Sequence, residues 1–285
     1  MPDIEIALVN AFVDNGAGGN PAGVVLEGDR FTPAQRQALA AQAGLSETAF
    51  VCGSATADVR LDIYTPTRPI PHCGHATVGA FAQLLAAGRL GVGEWVNETV
   101  DGPRRIRLSS GCAFLEQVIP TFEGLTPEQE AALLKALGLT VGDLLPGKRP
   151  LRAFNGNGTL LVPLSDPAIL ARLAPDMDAL AALSEALAVV GAYVFVPRPG
   201  EARQAVIRMF APAYGIPEES ATGMMAGPLG HWLSRELGLP GTTFLLEQGR
   251  LMTPPSPSLL QVDLEPERLW VGGEARVART LSVGL

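Results

Sequence analysis

The pattern of hydrophobic and polar positions repeats itself along the chain. Residues 48–75 can be laid on residues 193–221 with a single one-residue gap. The matched segments are, in order, the apolar strands 48–51 and 193–196, the strands 59–64 and 206–210, the Ile-Pro pairs 70–71 and 216–217, and the helices 76–87 and 222–237. Strand, strand, proline-containing loop and helix therefore occur twice, which predicts two similarly built halves.

Weaker signals place further elements around this repeat. Thr32 is expected to cap a helix that begins at Pro33, and Thr126 one that begins at Pro127. The remaining predicted strands are 4–12, 22–26, 104–108, 112–119, 159–162 and 269–277, and the remaining predicted helix is 179–187. Strands and helices mixed in this way predict an α+β fold.

Two like halves that face each other would create a cleft. Each proline loop would then point the N-terminus of its helix into that cleft. Helix N-termini offer N–H groups and partial positive charge, which suit a carboxylate or an enolate-like oxygen. We therefore expect a small anionic substrate.

Composition and charge limit the kinds of partner that we expect the protein to bind. The chain has 285 residues, 47% of them hydrophobic and 18% charged, with a net charge of −8. An acidic protein is a poor match for nucleic acid or an anionic membrane. No apolar run approaches the roughly 20 residues of a membrane helix. Residues 1–15 lack the basic flank of a signal peptide, so we expect a cytoplasmic protein.

The cysteines indicate neither disulfides nor zinc. Cys52, Cys73 and Cys112 are odd in number and widely spaced. His72, Cys73 and His75 carry metal-ligating atoms, but no fourth ligand follows at a useful spacing. We therefore expect no metal.

Glu47 is the first candidate for chemistry. It stands where a loop enters the apolar strand Thr48–Val51. Burial beside bulky apolar neighbours would raise the pKa of its carboxyl group and suit it to proton transfer. The alternative is a solvated residue at a strand edge.

The two loop–helix junctions supply the other candidates. In the first, Cys73 at a helix N-terminus would favour the thiolate form of a base or nucleophile, unless it is merely a small buried residue. In the second, the internal alignment sets Glu219 opposite Cys73, so the cleft would hold one thiol and one carboxylate. Alternatively, Glu218 and Glu219 are simply favourable first-turn residues of the helix.

Several motifs together are similar to one family. They are Gly19–Ala22, Leu45–Val51, Tyr64–Pro66, Cys73–Thr77, Gly215–Gly223 and Val271–Gly273. In this order they resemble the PhzF family, the phenazine-biosynthesis isomerases of the diaminopimelate-epimerase-like fold. The resemblance spans nearly the whole chain.

The resemblance implies a fold and an oligomer. It implies two domains, each a mixed sheet wrapped as a barrel around a central helix, with the active site between them. We assign residues 1–119 with 269–285 to the first domain and residues 120–268 to the second. It also implies a homodimer that needs no cofactor.

The resemblance also implies roles for particular residues. Glu47 would be the general acid/base that moves a proton on the substrate. The substrate would be contacted by Asn20, Cys73, Gly74, His75, Glu219, Thr222 and Gly223. A small carboxylic acid is the expected substrate class.

The second junction departs from the family. Where the family has Glu-Asp-Pro-Ala-Thr-Gly-Ser, this chain has Glu218-Glu219-Ser220 and, after Gly223, Met224. The longer acid shifts its carboxylate by about 1.5 Å, one carbon–carbon bond, and the lost hydroxyl removes a hydrogen-bonding group. We therefore doubt that the phenazine precursor is the substrate.

Two other functions stay open. One is an amino-acid epimerase or racemase that uses Cys73 with Glu219. The other is a catalytically silent small-molecule-binding protein of the same fold, which the altered junction Glu218–Met224 would favour.

Overall fold

The computed structural model describes residues 4–285, so the predictions that touch residues 1–3 lie outside the described chain. The chain forms two compact units. The first consists of the chain up to Glu116 together with Gly272–Leu285, and the second is Gln117–Val271.

The first unit alternates strands with two long helices. Its elements are β1 (Ile4–Ala11), β2 (Asn20–Val25), α1 (Pro33–Ala43), β3 (Thr48–Cys52), β4 (Val59–Tyr64), β5 (Pro69–Ile70), α2 (Gly74–Ala86), β6 (Gly93–Thr99), β7 (Gly102–Ser109) and β8 (Cys112–Gln117).

The second unit has the same kind of sequence of elements. They are β9 (Thr121–Gly124), α3 (Pro127–Leu137), β10 (Leu151–Phe154), β11 (Gly158–Pro163), α4 (Pro167–Ala171), α5 (Met177–Ala186), β12 (Ala192–Pro197), β13 (Ala205–Ala211), β14 (Ile216–Glu219), α6 (Gly223–Glu236), β15 (Thr243–Gln248) and β16 (Ser258–Leu264). The last strand, β17 (Leu269–Val283), contributes its residues from Gly272 onward to the first unit.

Strand pairing repeats between the units. In the first, β1–β2 is antiparallel, β2–β3 parallel, β3–β4 and β4–β5 antiparallel, β4–β6 parallel and β6–β7 antiparallel. In the second, β10 to β16 pair in the same order and with the same directions. The predicted α+β fold with two pseudo-repeated halves is confirmed.

The sheet of the first unit closes around a helix. Pairings of β17 with β1 and with β8 join the two ends of the sheet into a barrel. Helix α2 packs against β1, β2, β3 and β7, and its Val78, Phe81 and Leu84 are buried. A helix that is apolar on nearly every side belongs in a core, and the buried Trp232 and Leu233 give α6 the same character.

Among the described residues, the N-termini of α1 and α3 are capped by side chains, whereas those of α2 and α6 are not. The Thr32 and Thr126 side chains accept hydrogen bonds from the backbone N–H of Gln35 and Gln129. In turn, the side-chain oxygens of both glutamines accept hydrogen bonds from the backbone N–H of the two threonines. The predicted starts of α1 and α3 are therefore confirmed. At α2 and α6, by contrast, the N-cap residues Cys73 and Thr222 make no capping side-chain bond within the described structure.

The sequence-based alignment of the two halves is wrong by one residue where it matches β3 with β12. Thr48 pairs with Tyr64, and the residue that pairs with Phe210 is Ala192 rather than Tyr193. The predicted match of Thr48 with Tyr193 is therefore wrong, because apolar residues fill every position of these buried strands and cannot fix the register.

This correction gives Glu47 a counterpart. The carbonyl of Glu47 accepts a hydrogen bond from Gly23 N at 2.9 Å, and the carbonyl of Gly191 accepts one from Leu160 N at 3.0 Å. Gly191 therefore occupies in the second unit the place of Glu47 in the first. A Cβ at Gly191 would lie 2.1 Å from the carbonyl oxygen of Phe210, which explains the glycine.

Some strands escaped sequence analysis. These are β5, β6, β9, β10, β14, β15 and β16, of which β5 and β14 lie in the predicted proline-containing loops. Their residues are mostly half-buried or mix polar side chains into the apolar face, so no clean alternation marks them. Among residues 4–285, no helix is both long and apolar enough to cross a membrane.

The close approach at Gly191 predicts a stability difference. Gly191→Ala should lower the free energy of unfolding by roughly 1–3 kcal/mol, since the added methyl group meets fixed backbone atoms. Gly91→Ala is the matched control, because nothing lies within 4 Å of its added Cβ, and it should change stability by less than about 0.5 kcal/mol. Urea unfolding followed by tryptophan fluorescence measures both. Equal midpoints for the two variants would contradict the assignment.

Candidate functional site

Glu47 lies at the entrance to a buried strand. Helix α1 is followed by its C-cap residue Gly44 in a left-handed conformation (φ 63°), and the chain then enters β3, all five residues of which are buried. The carbonyl of Glu47 is held by the ladder to β2, while its side chain is only 17% exposed. The backbone therefore fixes this carboxylate next to the apolar core, and the alternative of a solvated strand-edge residue is wrong.

His75 is the partner of Glu47. It is the second residue of α2, 7% exposed, and its Nε2 lies 3.0 Å from Oε2 of Glu47. The two residues come from different elements that meet because α2 fills the barrel behind β3. The structure therefore pairs a buried carboxylate with a buried imidazole.

Two polar groups face the other ring nitrogen. Cys73 Sγ and Asn20 Nδ2 each lie 3.4 Å from Nδ1 of His75. Asn20 is buried at the start of β2, and Cys73 is held at the N-cap of α2, where its carbonyl accepts hydrogen bonds from the backbone N–H and the hydroxyl of Thr77. Four of the predicted site residues thus form one cluster, Glu47, His75, Cys73 and Asn20, which we call the first-unit cluster.

The charges of this pair differ from the sequence-based expectation. Burial raises the pKa of the Glu47 carboxyl group, as predicted, but the contact and positive charge of His75, aided by Ser46 and Cys73, outweigh it. The pKa of Glu47 is therefore lowered, and the predicted rise is wrong. Burial opposes charge on His75, yet Cys73 and Glu47 hold the pKa of His75 well above its ordinary value.

Gly74 and His72 flank the cluster differently. Gly74 is the first residue of α2, and a Cβ there would meet nothing within 4 Å, so space adjoins this turn of backbone. Burial, with the nearby charge of Arg104, lowers the pKa of His72 to about 4 against the opposing charge of Asp101. His72 is therefore neutral. Of the three possible metal ligands that the sequence analysis named, only Cys73 and His75 lie close together, and the third residue beside them is Glu47 rather than His72.

The predicted residues of the second unit form a separate cluster. Glu219 ends β14, and its Oε2 accepts a hydrogen bond of 2.5 Å from the Thr222 hydroxyl. Thr222 is the N-cap of α6, and Gly223 is the first residue of that helix. Because Cys73 is the N-cap of α2, Thr222 is its counterpart, and the predicted match of Glu219 with Cys73 is wrong.

Two residues of the second-unit cluster escaped sequence analysis. Gln248 donates to the Glu219 carbonyl at 2.8 Å and to the Thr222 hydroxyl at 3.0 Å, and it accepts from Tyr193 OH at 2.9 Å. Burial and the charge of Glu219 raise the pKa of Tyr193 well above its ordinary value, so the phenol keeps its proton. The sequence offered no clear signal for Gln248, because it directly follows another polar residue, Glu247, at the end of β15.

The neighbouring acid has a structural role. Both carboxylate oxygens of Glu218 bind the Arg208 guanidinium, at 2.7 and 2.8 Å, and Arg208 also donates to the carbonyl of Leu173. Since Glu218 and Glu219 lie in β14, neither is a first-turn residue of α6. Glu218 therefore holds the junction in place while Glu219 meets Thr222.

A family model agrees with these features. The model of the phenazine biosynthesis-like proteins, PhzC-PhzF, matches residues 9–280. The chain belongs to the PhzF family. This confirms the family resemblance drawn from the motifs.

Individual relatives of this PhzF protein carry related names. It is 37% identical over 284 residues to the "uncharacterized isomerase YddE" of Escherichia coli O157:H7, covering 94% of each chain. It is 31% identical to the trans-2,3-dihydro-3-hydroxyanthranilate isomerase of Pseudomonas chlororaphis, covering 85% of this chain and 90% of that one. The prediction that the chain is an isomerase of this family is therefore confirmed, without its substrate or mechanism.

A solved structure supports the fold. The crystal structure of a PhzF-family protein from Bacillus anthracis is similar over 100% of both chains, with a TM-score of 0.87 and 24% sequence identity. The predicted diaminopimelate-epimerase-like architecture is thereby confirmed. The roles of individual site residues stay predictions.

The Glu47–His75 pair predicts a distinctive histidine titration. The chain has three histidines. In the wild type, His75 should titrate above the ordinary histidine value, whereas His72 and His231 should titrate below it because burial disfavours their charged forms. Glu47→Gln should lower the pKa of His75 alone, since burial remains and the carboxylate is gone. NMR of the imidazole resonances measures all three, and an unmoved His75 in this variant would refute the pairing.

Proposed function

We propose that this PhzF protein isomerises a small carboxylic acid by moving a proton with Glu47. The observation that carries the proposal is a carboxylate that is buried and yet held charged by His75, 3.0 Å away. A charged carboxylate with little water around it can take a proton from carbon without first breaking a full hydration shell. Glu47 is accordingly the base in the resting protein.

The proposed reaction needs no net supply of protons. Glu47 takes a proton from one substrate carbon, and the electron pair left behind spreads into the adjoining π system or carboxylate. The protonated Glu47 then returns the proton to another carbon of the same substrate. A double bond has moved and the protein is restored.

The backbone around Cys73 supports the developing negative charge. The first N–H groups of α2 are not engaged by the Cys73 side chain in the described structure, whereas α1 and α3 have complete capping boxes. Uncapped N–H groups at the positive end of a 13-residue helix suit an anion. Space beside Gly74 would let a substrate oxygen approach them.

His75 serves the return of the proton. A positive imidazole ring beside Glu47 stabilises the carboxylate over the carboxylic acid, which makes the protonated form of Glu47 the stronger acid. His75 is thus proposed as the residue that poises Glu47, while Asn20 and Cys73 fix the ring through Nδ1.

The finer points are proposals too. The hydroxyanthranilate substrate named for the Pseudomonas relative is not the one we propose, since Glu219 and Met224 replace a shorter acid and a hydroxyl in the family motif. We propose a cytoplasmic homodimer that uses no cofactor and binds no nucleic acid. The substrate contacts of Glu219, Thr222 and Gly223 stay predictions, as do the two domains with boundaries at residues 119 and 269.

Loss of the Glu47 carboxylate should abolish proton transfer. Incubation with pooled small carboxylic acids in D₂O, read by mass spectrometry, should show C–H exchange in the wild type. Glu47→Gln should slow exchange by roughly 10²–10⁴-fold, the usual share of general acid–base catalysis. Glu27→Gln, an exposed acid paired with Arg89, is the control and should exchange as the wild type does.

The same assay separates the alternatives. If Cys73 were the base of an epimerase, Cys73→Ala would abolish exchange and Glu47→Gln would not. Under the proposal Cys73→Ala keeps exchange, with a raised KM. Exchange on no acid at all would favour a silent binding protein.

The acid side of the pH profile should depend on His75. Because His75 lowers the pKa of Glu47, kcat/KM in the wild type should fall only when the pH drops below the ordinary glutamate range. His75→Gln removes that partner and leaves burial, so the acid limb should move upward by roughly 1–3 pH units. His231→Gln, which loses only a ring stacked on Phe122, should leave the limb in place. An acid limb that His75→Gln leaves unmoved would count against the pairing of the two residues.

A further inference from the structure

We propose that Cys73 is a site of reversible covalent modification, a nucleophilic thiol that hydroperoxides oxidise to a sulfenic acid, and that this oxidation switches proton transfer off. Cys73 Sγ lies 3.4 Å from Nδ1 of His75, while Oε2 of Glu47 lies 3.0 Å from Nε2 of the same ring. The reactivity of the thiol stands on this geometry within the first unit. Only the switch rests on the function proposed for Glu47.

The thiol and the carboxylate face opposite nitrogens of the His75 ring. A base beside a cysteine takes the thiol proton, and a third group at the far nitrogen orients the ring and stabilises the positive charge that forms on it. The ring is only 7% exposed, and the Asn20 amide nitrogen also lies 3.4 Å from Nδ1. His75 is therefore fixed where it can accept a proton from Cys73 while Glu47 supports it from the other side.

The charges of the first-unit cluster favour a negative sulfur only through His75. Burial opposes a positive charge on His75, but the charge of Cys73 is the largest of the influences that outweigh it, so the pKa of His75 lies well above its ordinary value. The attraction is mutual, because a protonated ring also stabilises a negative sulfur. A carboxylate oxygen of Glu47 lies within 4.8 Å of Sγ and would repel it. His75 therefore controls whether the thiol reacts.

Cys73 also has the position and the exposure of a reactive cysteine. It is the N-cap residue of the 13-residue helix α2, whose positive end stabilises negative charge at this residue. Its side chain is half-buried, so a small reagent in solution can reach it.

The other two cysteines lie in different surroundings. Cys52 is 4% exposed, and burial together with the charge of Asp62 raises the pKa of its thiol to about 11. Cys112 is half-buried like Cys73, but burial and the charge of Glu274 raise the pKa of its thiol. Both should therefore react more slowly than Cys73, which makes them internal controls in the same molecule.

The oxidation needs a hydroperoxide and no other reactant. The thiol proton passes to Nδ1 of His75, and the sulfur attacks the hydroxyl oxygen of the hydroperoxide. An S–O bond forms as the O–O bond breaks, so the sulfur loses two electrons and the peroxide gains them. The departing oxygen takes the proton from His75 and leaves as water or an alcohol. A small thiol in solution returns the sulfenic acid to cysteine.

The added oxygen explains why proton transfer should stop. It is a hydrogen-bond acceptor on an N-cap residue, so it can bind the first backbone N–H groups of α2, as the side chains of capping residues do. Those N–H groups are the ones proposed to hold the negative charge that develops on the substrate. The oxidised side chain also no longer offers His75 the same contact at Nδ1. Both changes act against Glu47 as a base.

Alkylation of the reduced full-length protein with iodoacetamide tests the thiol. Peptide mass spectrometry reads each cysteine at neutral pH, and Cys73 should be labelled about tenfold faster than Cys112, or more. His75→Gln should slow the labelling of Cys73 by a similar factor and leave Cys112 unchanged. His231→Gln, which replaces a histidine stacked on Phe122 in the second unit, is the matched control and should label as the wild type does. Buried Cys52 should stay unlabelled in every folded variant, so its labelling reports unfolding.

The labelled protein also tests the contact with His75 without any substrate. The thioether that iodoacetamide leaves on Cys73 is neutral, so the pKa of His75 should fall when the charge of the sulfur is lost. NMR of the imidazole resonances measures this shift. Cys112→Ser, labelled in the same way, should show the same fall.

Hydrogen peroxide followed by dimedone, which traps sulfenic acids, tests the oxidation. The trapped product should appear on Cys73 and be prevented when dithiothreitol is added before dimedone. Where untreated protein exchanges C–H protons in D₂O, peroxide should reduce the exchange by about tenfold or more, and dithiothreitol should restore it. Exchange by Cys73→Ala should be insensitive to peroxide.

Each contrary result has a distinct meaning. Labelling of Cys73 no faster than of Cys112, or unslowed in folded His75→Gln, would overturn the activated thiol. An unmoved His75 in the alkylated protein would overturn the charge contact. Rapid alkylation without a trapped sulfenic acid would overturn the oxidation. Exchange that continues in the oxidised protein would overturn the switch alone. If untreated protein exchanges no acid, the proposed function and the switch both fail, whereas the labelling results stand.

Discussion

The candidate site depends on a carboxylate that is held charged at the edge of an apolar core. Desolvation of Glu47 is the largest single influence on its protonation, and by itself it would raise the pKa of the carboxyl group. The opposing influences come from another element, because His75 stands in the first turn of the helix that fills the barrel. The site therefore exists only in the folded first unit, where β3 and α2 are brought together by the closure of the sheet.

The repeated architecture supplies a frame that the two units use differently. Each unit ends a proline loop at an N-cap residue whose side chain does not cap its helix, Cys73 in one and Thr222 in the other. At the strand entrance, however, Glu47 is matched by Gly191, whose Cβ position is filled by backbone. The second unit has no room for a carboxylate there. That only the first unit carries a carboxylate at this position is thus a consequence of packing as well as of sequence.

Much of the fold could be predicted from local signals. The Thr-Pro pairs before α1 and α3 carry their own capping partners three residues away, so their starts need no knowledge of the rest of the chain. Register could not be predicted, since uniformly apolar strands such as β3 and β12 match equally well one residue apart. The direction of the Glu47 pKa was missed for a related reason: burial is a local inference, whereas His75 comes from a different element.

The imidazole of His75 joins the two sides of the first-unit cluster, because both of its ring nitrogens are engaged. Nε2 lies 3.0 Å from Oε2 of Glu47, and Nδ1 lies 3.4 Å from Cys73 Sγ and from the Asn20 amide nitrogen. Cys73 and Glu47 therefore act on the ring from different nitrogens, and both favour its protonated form against the effect of burial. A change at Cys73 should for this reason reach the protonation of Glu47 through the ring that lies between them.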